Sequence, residues 1–154
     1  VSFGSRSLVL GPGEGRTDRL PGQSYTYKAA GEDTAGAYAL IEATLTGEGP
    51  PQHIHHAEEE AIYVVDGQVN VQVGDQTKHI TQGSFVLVPR GTVHTFWNAG
   101  STHAKLLVIV SPPGFERIFT EVAGDEEIDA DTFIERVGAL AAKYHLEITG
   151  PPRG

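Results

Sequence analysis

Cysteine and methionine are both absent from this chain of 154 residues. Without cysteine there are no disulfides, no thiolate metal ligands and no thiol nucleophile. No run approaches the ~18 consecutive apolar residues of a membrane span. No charged-then-apolar leader opens the sequence and no Asn-x-Ser/Thr acceptor occurs, so the expected location is the cytoplasm. Basic residues are scarce: 11 Lys and Arg stand against 20 Asp and Glu, for a formal net charge of −9. Nucleic acids and anionic membranes require clustered positive charge, and the few basic residues here are scattered, which argues against both as partners. What remains is the length of one ordinary domain, able to bury about 68–70% of the surface its unfolded chain would expose.

The apolar residues alternate, or come in short runs, between Gly and Pro breakers. Strands are expected at 7–10, 24–28, 37–45, 61–65, 69–73, 78–81, 85–88, 94–98 and 105–110. Many short strands at this spacing predict an all-β antiparallel sandwich or barrel. Asp66-Gly67 carries a tight-hairpin signal, because glycine tolerates positive φ. The last third changes period. Phe115, Ile118, Phe119 and Val122 repeat at helical spacing, as do Phe133, Val137, Leu140, Ala141 and Tyr144 behind an N-cap at Asp129 or Asp131. Two amphipathic helices packed outside the β core are predicted, their aromatic residues serving as packing. Gly150-Pro151-Pro152 is expected to end the ordered part. The expected organisation is one domain over 1–154, with N-terminal strands in 1–36, a core at about 37–112 and a helical segment at 113–150.

Four residues carry the chemistry. His53 and His55 are two apart, so on a strand both rings share one face. Glu60 follows His55 by five, an odd spacing that would put it on the opposite face of an uninterrupted strand. The polar stretch His56-Ala57-Glu58-Glu59 therefore has to break the strand. Beyond that break Glu60 shares parity with Ile62 and Val64, which turns a carboxylate inward, where a cation is its best partner. His94 shares parity with Phe96. Three imidazoles and one carboxylate suit one divalent transition-metal ion: Fe, Mn, Ni, Co, Cu or Zn. Four protein ligands leave one or two positions for water, substrate or O2, the pattern of a working site.

Gly47-x5-His53-x-His55-x4-Glu60-x6-Gly67 and Gly83-x5-Pro89-x-Gly91-x2-His94-x3-Asn98 together resemble the two motifs of the cupin superfamily, complete and in order. The resemblance implies a double-stranded β-helix jelly roll. It also implies metal-ligand roles for His53, His55, Glu60 and His94, turn duties for the glycines and Pro89, and a homodimer. Gly49-Pro50-Pro51-Gln52, the segment from Ser111 to Arg117 and the tail at Tyr144-His145-Leu146-Glu147 look like the single-cupin branch related to quercetin 2,3-dioxygenase. With the motifs, the resemblance spans 37–152.

The remaining polar residues have blander readings. Glu58 and Glu59 are expected as solvated turn residues. Glu59 competes with Glu60 as ligand, and the distance to Gly67 decides for Glu60. His56 is expected to point away from the site, and His79, His103 and His145 receive no role. The glycine-rich 11–17 segment lacks the Gly-Lys-Ser/Thr ending of a phosphate loop. No serine has an organised His/Asp partner for acyl transfer. Phe96, by its parity with His94, is the first candidate for a substrate-pocket wall. Leu87, Trp97, Phe115 and Phe119 follow, with Tyr38 on one face of its strand and Ala39, Ile41 and Ala43 on the other, either of which could face inward. No Arg or Lys shares the ligands' parity in the central strands, which favours an apolar or aromatic small molecule.

The family resemblance points to a metal-dependent dioxygenase acting with O2 on an enolisable or phenolic, flavonol-like aromatic, with Glu60 as ligand and base. A redox-neutral metal lyase, isomerase or cyclase, and a non-catalytic small-molecule-binding protein, are the alternatives, since one fold hosts many activities.

Overall fold

Period-two alternation gives each strand one apolar face, and the chain buries it between two sheets. The computed structural model describes residues 7–154; the first six residues lie outside this description. Its strands are β1 (Arg16–Leu20), β2 (Gln23–Ala29), β3 (Ala39–Leu45), β4 (Gln52–His55), β5 (Glu59–Asp66), β6 (Gln68–Val73), β7 (Gln76–Thr81), β8 (Phe85–Val88), β9 (His94–Asn98), β10 (Ala104–Ser111) and β11 (Leu146–Gly150). Helices α1 (Arg117–Ala123) and α2 (Ala130–Leu140) lie between β10 and β11. One sheet has the order β1-β2-β3-β10-β5-β8, the other β11-β4-β9-β6-β7, and every pairing is antiparallel. This is an all-β jelly roll.

The inner face of β3 is Ala39, Ile41, Ala43 and Leu45, so Tyr38, Leu40 and Glu42 face outward. Ile62 and Val64 of β5, Leu106 and Val110 of β10 and Val69 and Val71 of β6 complete the core between the sheets. Both predicted helices form. Asp129 caps α2, its Oδ1 accepting the Thr132 amide at 2.8 Å. Phe115, Ile118 and Val122 near α1, with Phe133 and Val137 of α2, turn their side chains onto the barrel mouth. Among the described residues, no helix is long and apolar enough to cross a membrane.

Three expectations need correction. Residues 7–10 form no strand; the first strand is β1, whose polar Arg-Thr-Asp-Arg sequence gives little alternation to read. Asp66-Gly67 is not a hairpin, because β5 and β6 belong to different sheets. It is a corner, and Gly67 sits there with φ 85° because a Cβ would come within 2.8 Å of Ala104 Cα. The tight hairpin is at Gly74-Asp75, which joins the paired β6 and β7. The segment expected to be helical to residue 150 also ends as a strand. His145 adopts the left-handed conformation, φ 55°, and turns the chain into β11 beside β4.

Candidate metal centre

β4 and β9 lie side by side in the smaller sheet, with His53 opposite His94 in register. His55 lies two residues along β4, on the same face. Glu60 reaches the same point from β5 in the facing sheet, because the turn after His55 carries the chain from one sheet to the other. The break required by the odd spacing is therefore a change of sheet. One ligand atom from each of His53, His55, Glu60 and His94 lies within 4.8 Å of all the others, and all four residues are buried.

Backbone carbonyls orient two of the rings. His53 Nδ1 donates to the Pro51 carbonyl at 2.6 Å and His94 Nδ1 to the Thr92 carbonyl at 3.1 Å. A carbonyl can only accept, so both rings carry the proton on Nδ1 and turn a lone pair on Nε2 inward. Glu60 Oε2 lies 3.0 Å from His55 Nε2 and 3.4 Å from His94 Nε2. Both nitrogens of His55 are buried without an aligned hydrogen bond. Buried polar atoms left without partners are costly. Convergent nitrogen lone pairs around a carboxylate are the donor set that a divalent cation satisfies, so the residues fit a metal ion.

Electrostatics agree. Burial, reinforced by His94 and His55, holds the His53 imidazolium well below the usual histidine range, so this ring is neutral. Burial alone would raise the Glu60 carboxyl, but His94 and His55 outweigh it and hold it well below the usual carboxylate range. Burial also disfavours charge on His94, yet Glu60 beside it lifts His94 above the usual range.

The turn before Glu60 departs from expectation at one residue. Glu59 and His56 are exposed as expected, with His56 Nε2 at 2.7 Å from Glu147 Oε2. Glu58 is not solvated. It is 6% exposed, with Oε2 at 3.7 Å from His55 Nδ1. Glu59 and Glu60 alternate out and in on β5, whereas Glu58 precedes the strand, in the turn between sheets, where strand parity does not apply. Asn98 is a turn residue, its side chain bonded to Thr102 O and Gly100 N. Gly91, with φ 79°, donates its amide to the carbonyl of His55 at 2.9 Å.

A small cavity of about 40 Å³ adjoins the cluster, with room for a few waters. Phe96, Phe115 and Phe119 line it, together with Tyr25, Phe133 and Leu146. Its polar edge is His53 and Glu60, and among the described residues no Arg or Lys lines it. Phe119 stacks on Tyr25 with ring centroids 3.7 Å apart, and Phe115 meets the His55 ring edge-on at 4.2 Å. Burial, reinforced by Glu60, keeps Tyr25 protonated far above the usual tyrosine range, and its hydroxyl bonds Gln23. Tyr38, just before β3, and Leu87 of β8 lie outside this cavity, 42% and 48% exposed, on the side of the sheet away from the core. The contributions of Tyr25 and of β11 went unread in the sequence. The alternation of Tyr25 and Tyr27 with polar residues was the available signal for Tyr25.

The cupin domain family profile matches residues 41–110. An uncharacterized protein of Streptomyces coelicolor is 36% identical over 80 residues, which are 52% of this chain and 70% of that protein. Quercetin 2,3-dioxygenase of Bacillus subtilis is 28% identical over 121 residues, covering 75% of this chain but 34% of that enzyme. Among solved structures, the polyketide cyclase RemF of Streptomyces resistomycificus superposes with a TM-score of 0.60 at 22% identity, over 68% of this chain and 79% of that one.

Proposed function

Because this chain belongs to the cupin superfamily, we propose that His53, His55, Glu60 and His94 hold one divalent transition-metal ion. At that centre the protein acts as an oxygenase on an apolar, enolisable or phenolic aromatic. The observation that carries the reading is the polarity of the cavity: its polar edge is the ligand cluster and its other walls are aromatic and aliphatic.

When bound, the ion supplies Lewis acidity, which lowers the pKa of an enol or phenol hydroxyl that reaches it. Glu60 takes that hydroxyl proton on its carboxylate. His53 and His94 stay aimed at the centre through Pro51 and Thr92. Phe96 and Phe115 flank the aromatic substrate and exclude water. A two-ring molecule exceeds the present cavity, so its entry requires Phe119 to leave its stack on Tyr25. Support for O2 as co-substrate comes from the similarity to the dioxygenase. This chain spans about a third of that enzyme, so the reaction itself belongs to the proposal.

The redox-neutral lyase, isomerase or cyclase reading uses the same residues. It draws on Glu60 lying within reach of two imidazoles, where it can move a proton without O2. An oxygen electrode separates the two. Flavonol loss matched by O2 uptake, and abolished in Glu60→Gln, supports the oxygenase. Turnover that continues anaerobically refutes it in favour of the alternative.

The homodimer is likewise a proposal, and a second copy of this chain is its occupant. On the outer face of the six-stranded sheet, Leu40, Leu107, Ile109, Tyr63, Phe85 and Leu87 lie side by side across β3, β10, β5 and β8. Tyr63, Phe85, Leu87 and Ile109 are each more than a third exposed. At the margin, Glu42 and Lys105 pair at 3.3 Å. The band is thus neutral on a chain of net charge −9, which lets two copies meet here without like-charge contact. Light scattering is expected to give twice 16.4 kDa, halved by Phe85→Glu/Leu87→Glu. A monomeric wild type overturns it.

A further inference from the structure

A histidine ligand presents one nitrogen to its metal and commits the other to an outer partner, which fixes the tautomer and the ring. His53 and His94 use backbone carbonyls for this. His55 has none. Among the described residues, His55 Nδ1, His55 Nε2 and Glu58 Oε2 are the only buried side-chain polar atoms without a hydrogen-bond partner. Two of these three orphans face each other: Glu58 Oε2 lies 3.7 Å from His55 Nδ1. That is just beyond hydrogen-bond length, and neither atom has another hydrogen-bond partner among the described residues. Glu116, another buried carboxylate, already accepts the Gly114 amide at 2.6 Å. Glu59 faces solvent. Glu58 alone has an unpartnered carboxylate oxygen in place.

We infer that Glu58 is the positioning residue of His55, its carboxylate accepting the Nδ1–H so that Nε2 faces the metal. The inference rests on the metal-centre reading. It divides the run Glu58-Glu59-Glu60 into three separate duties: behind a ligand, in solvent and at the centre. It also makes His55 unlike its two companions. Hydrogen bonds to a charged acceptor are roughly twice as strong as neutral ones, so the His55 ring is held by a stronger contact than the backbone carbonyls give its companions.

Two readouts test this. Long-range 1H–15N NMR of the imidazoles reports the tautomer, and competition with a chromophoric chelator reports the zinc dissociation constant. In wild type, His55 is expected to carry its proton on Nδ1. In Glu58→Ala, zinc affinity is expected to fall ~10–100-fold, the usual loss for an outer-partner mutation, and the His55 Nδ1–H signal to weaken or disappear. Glu58→Gln keeps the volume and an acceptor oxygen; it is expected to fall between the two, and it decides the matter if Glu58→Ala does not fold. Unchanged zinc affinity and an unchanged His55 tautomer in the folded variants overturn the inference. A wild type that takes up neither zinc nor any other of the six ions overturns the metal-centre reading instead, and the tautomer in the metal-free protein then decides the Glu58–His55 contact by itself.

Discussion

His53 and His94 face each other across neighbouring antiparallel strands, their ring centroids 4.2 Å apart. Each is tied to a backbone carbonyl two residues before it in sequence, His53 to Pro51 and His94 to Thr92. The two imidazoles therefore reach the centre already oriented, and their states differ only through their neighbours.

That difference sets the pH dependence of metal uptake. His53 is held low by burial and by the other two imidazoles, so it offers no proton to displace near neutrality. Burial acts against charge on His94 as well, but Glu60 raises it, so its proton competes with the metal for Nε2. Below the raised His94 value, affinity is expected to fall about tenfold per pH unit, as one competing proton requires. Above that value it levels off. Calorimetry in buffers of different ionisation enthalpy should find proton release on metal binding that grows as pH falls through the His94 value. Metal binding without any pH-dependent proton release contradicts the assignment.

Phe119 is expected to act as a plug. It is half-buried and stacks on Tyr25. Phe119→Ala should cost about 3 kcal/mol, the low end for a phenylalanine truncated to alanine, and should enlarge the cavity. Chemical unfolding measures the cost, and fluorescence of a bound apolar dye measures the access. A loss of stability without added dye binding would mean that Phe119 is packing alone.

The motif glycines should not be equivalent. Both Gly67 and Gly91 have positive φ. A Cβ on Gly67 would press on the Ala104 backbone, whereas a Cβ on Gly91 meets nothing within 4 Å. Gly91→Ala should cost about 1–2 kcal/mol, from the left-handed backbone alone. Gly67→Ala should add overpacking of about 1–3 kcal/mol. Thermal denaturation ranks the two, and equal losses would refute the close approach at the Gly67 corner.

Strand parity carried much of the site in the sequence. It placed His53 and His55 on one face, and the odd step to Glu60 demanded a break that the fold supplies as a change of sheet. Parity fails where the chain is not a strand. Glu58 lies in that turn, and its burial depends on elements distant in sequence that no local pattern reveals. The strand β11 was hidden for a similar reason. Leu146-Glu147-Ile148 alternates too briefly to announce a strand, and only its pairing with β4 makes it one. At Asp66-Gly67 the turn was legible but its destination was not. A sharp reversal between paired strands and a corner between sheets both call for glycine, and long-range packing against Ala104 decides which forms.

The most direct test is the metal content of gently purified protein, by elemental mass spectrometry, with His53→Ala/His94→Ala alongside and folding checked by circular dichroism. The account predicts close to one equivalent of a first-row transition metal in wild type, lost from a folded double variant. A folded wild type that carries none, and takes up none when each ion is added, would contradict it.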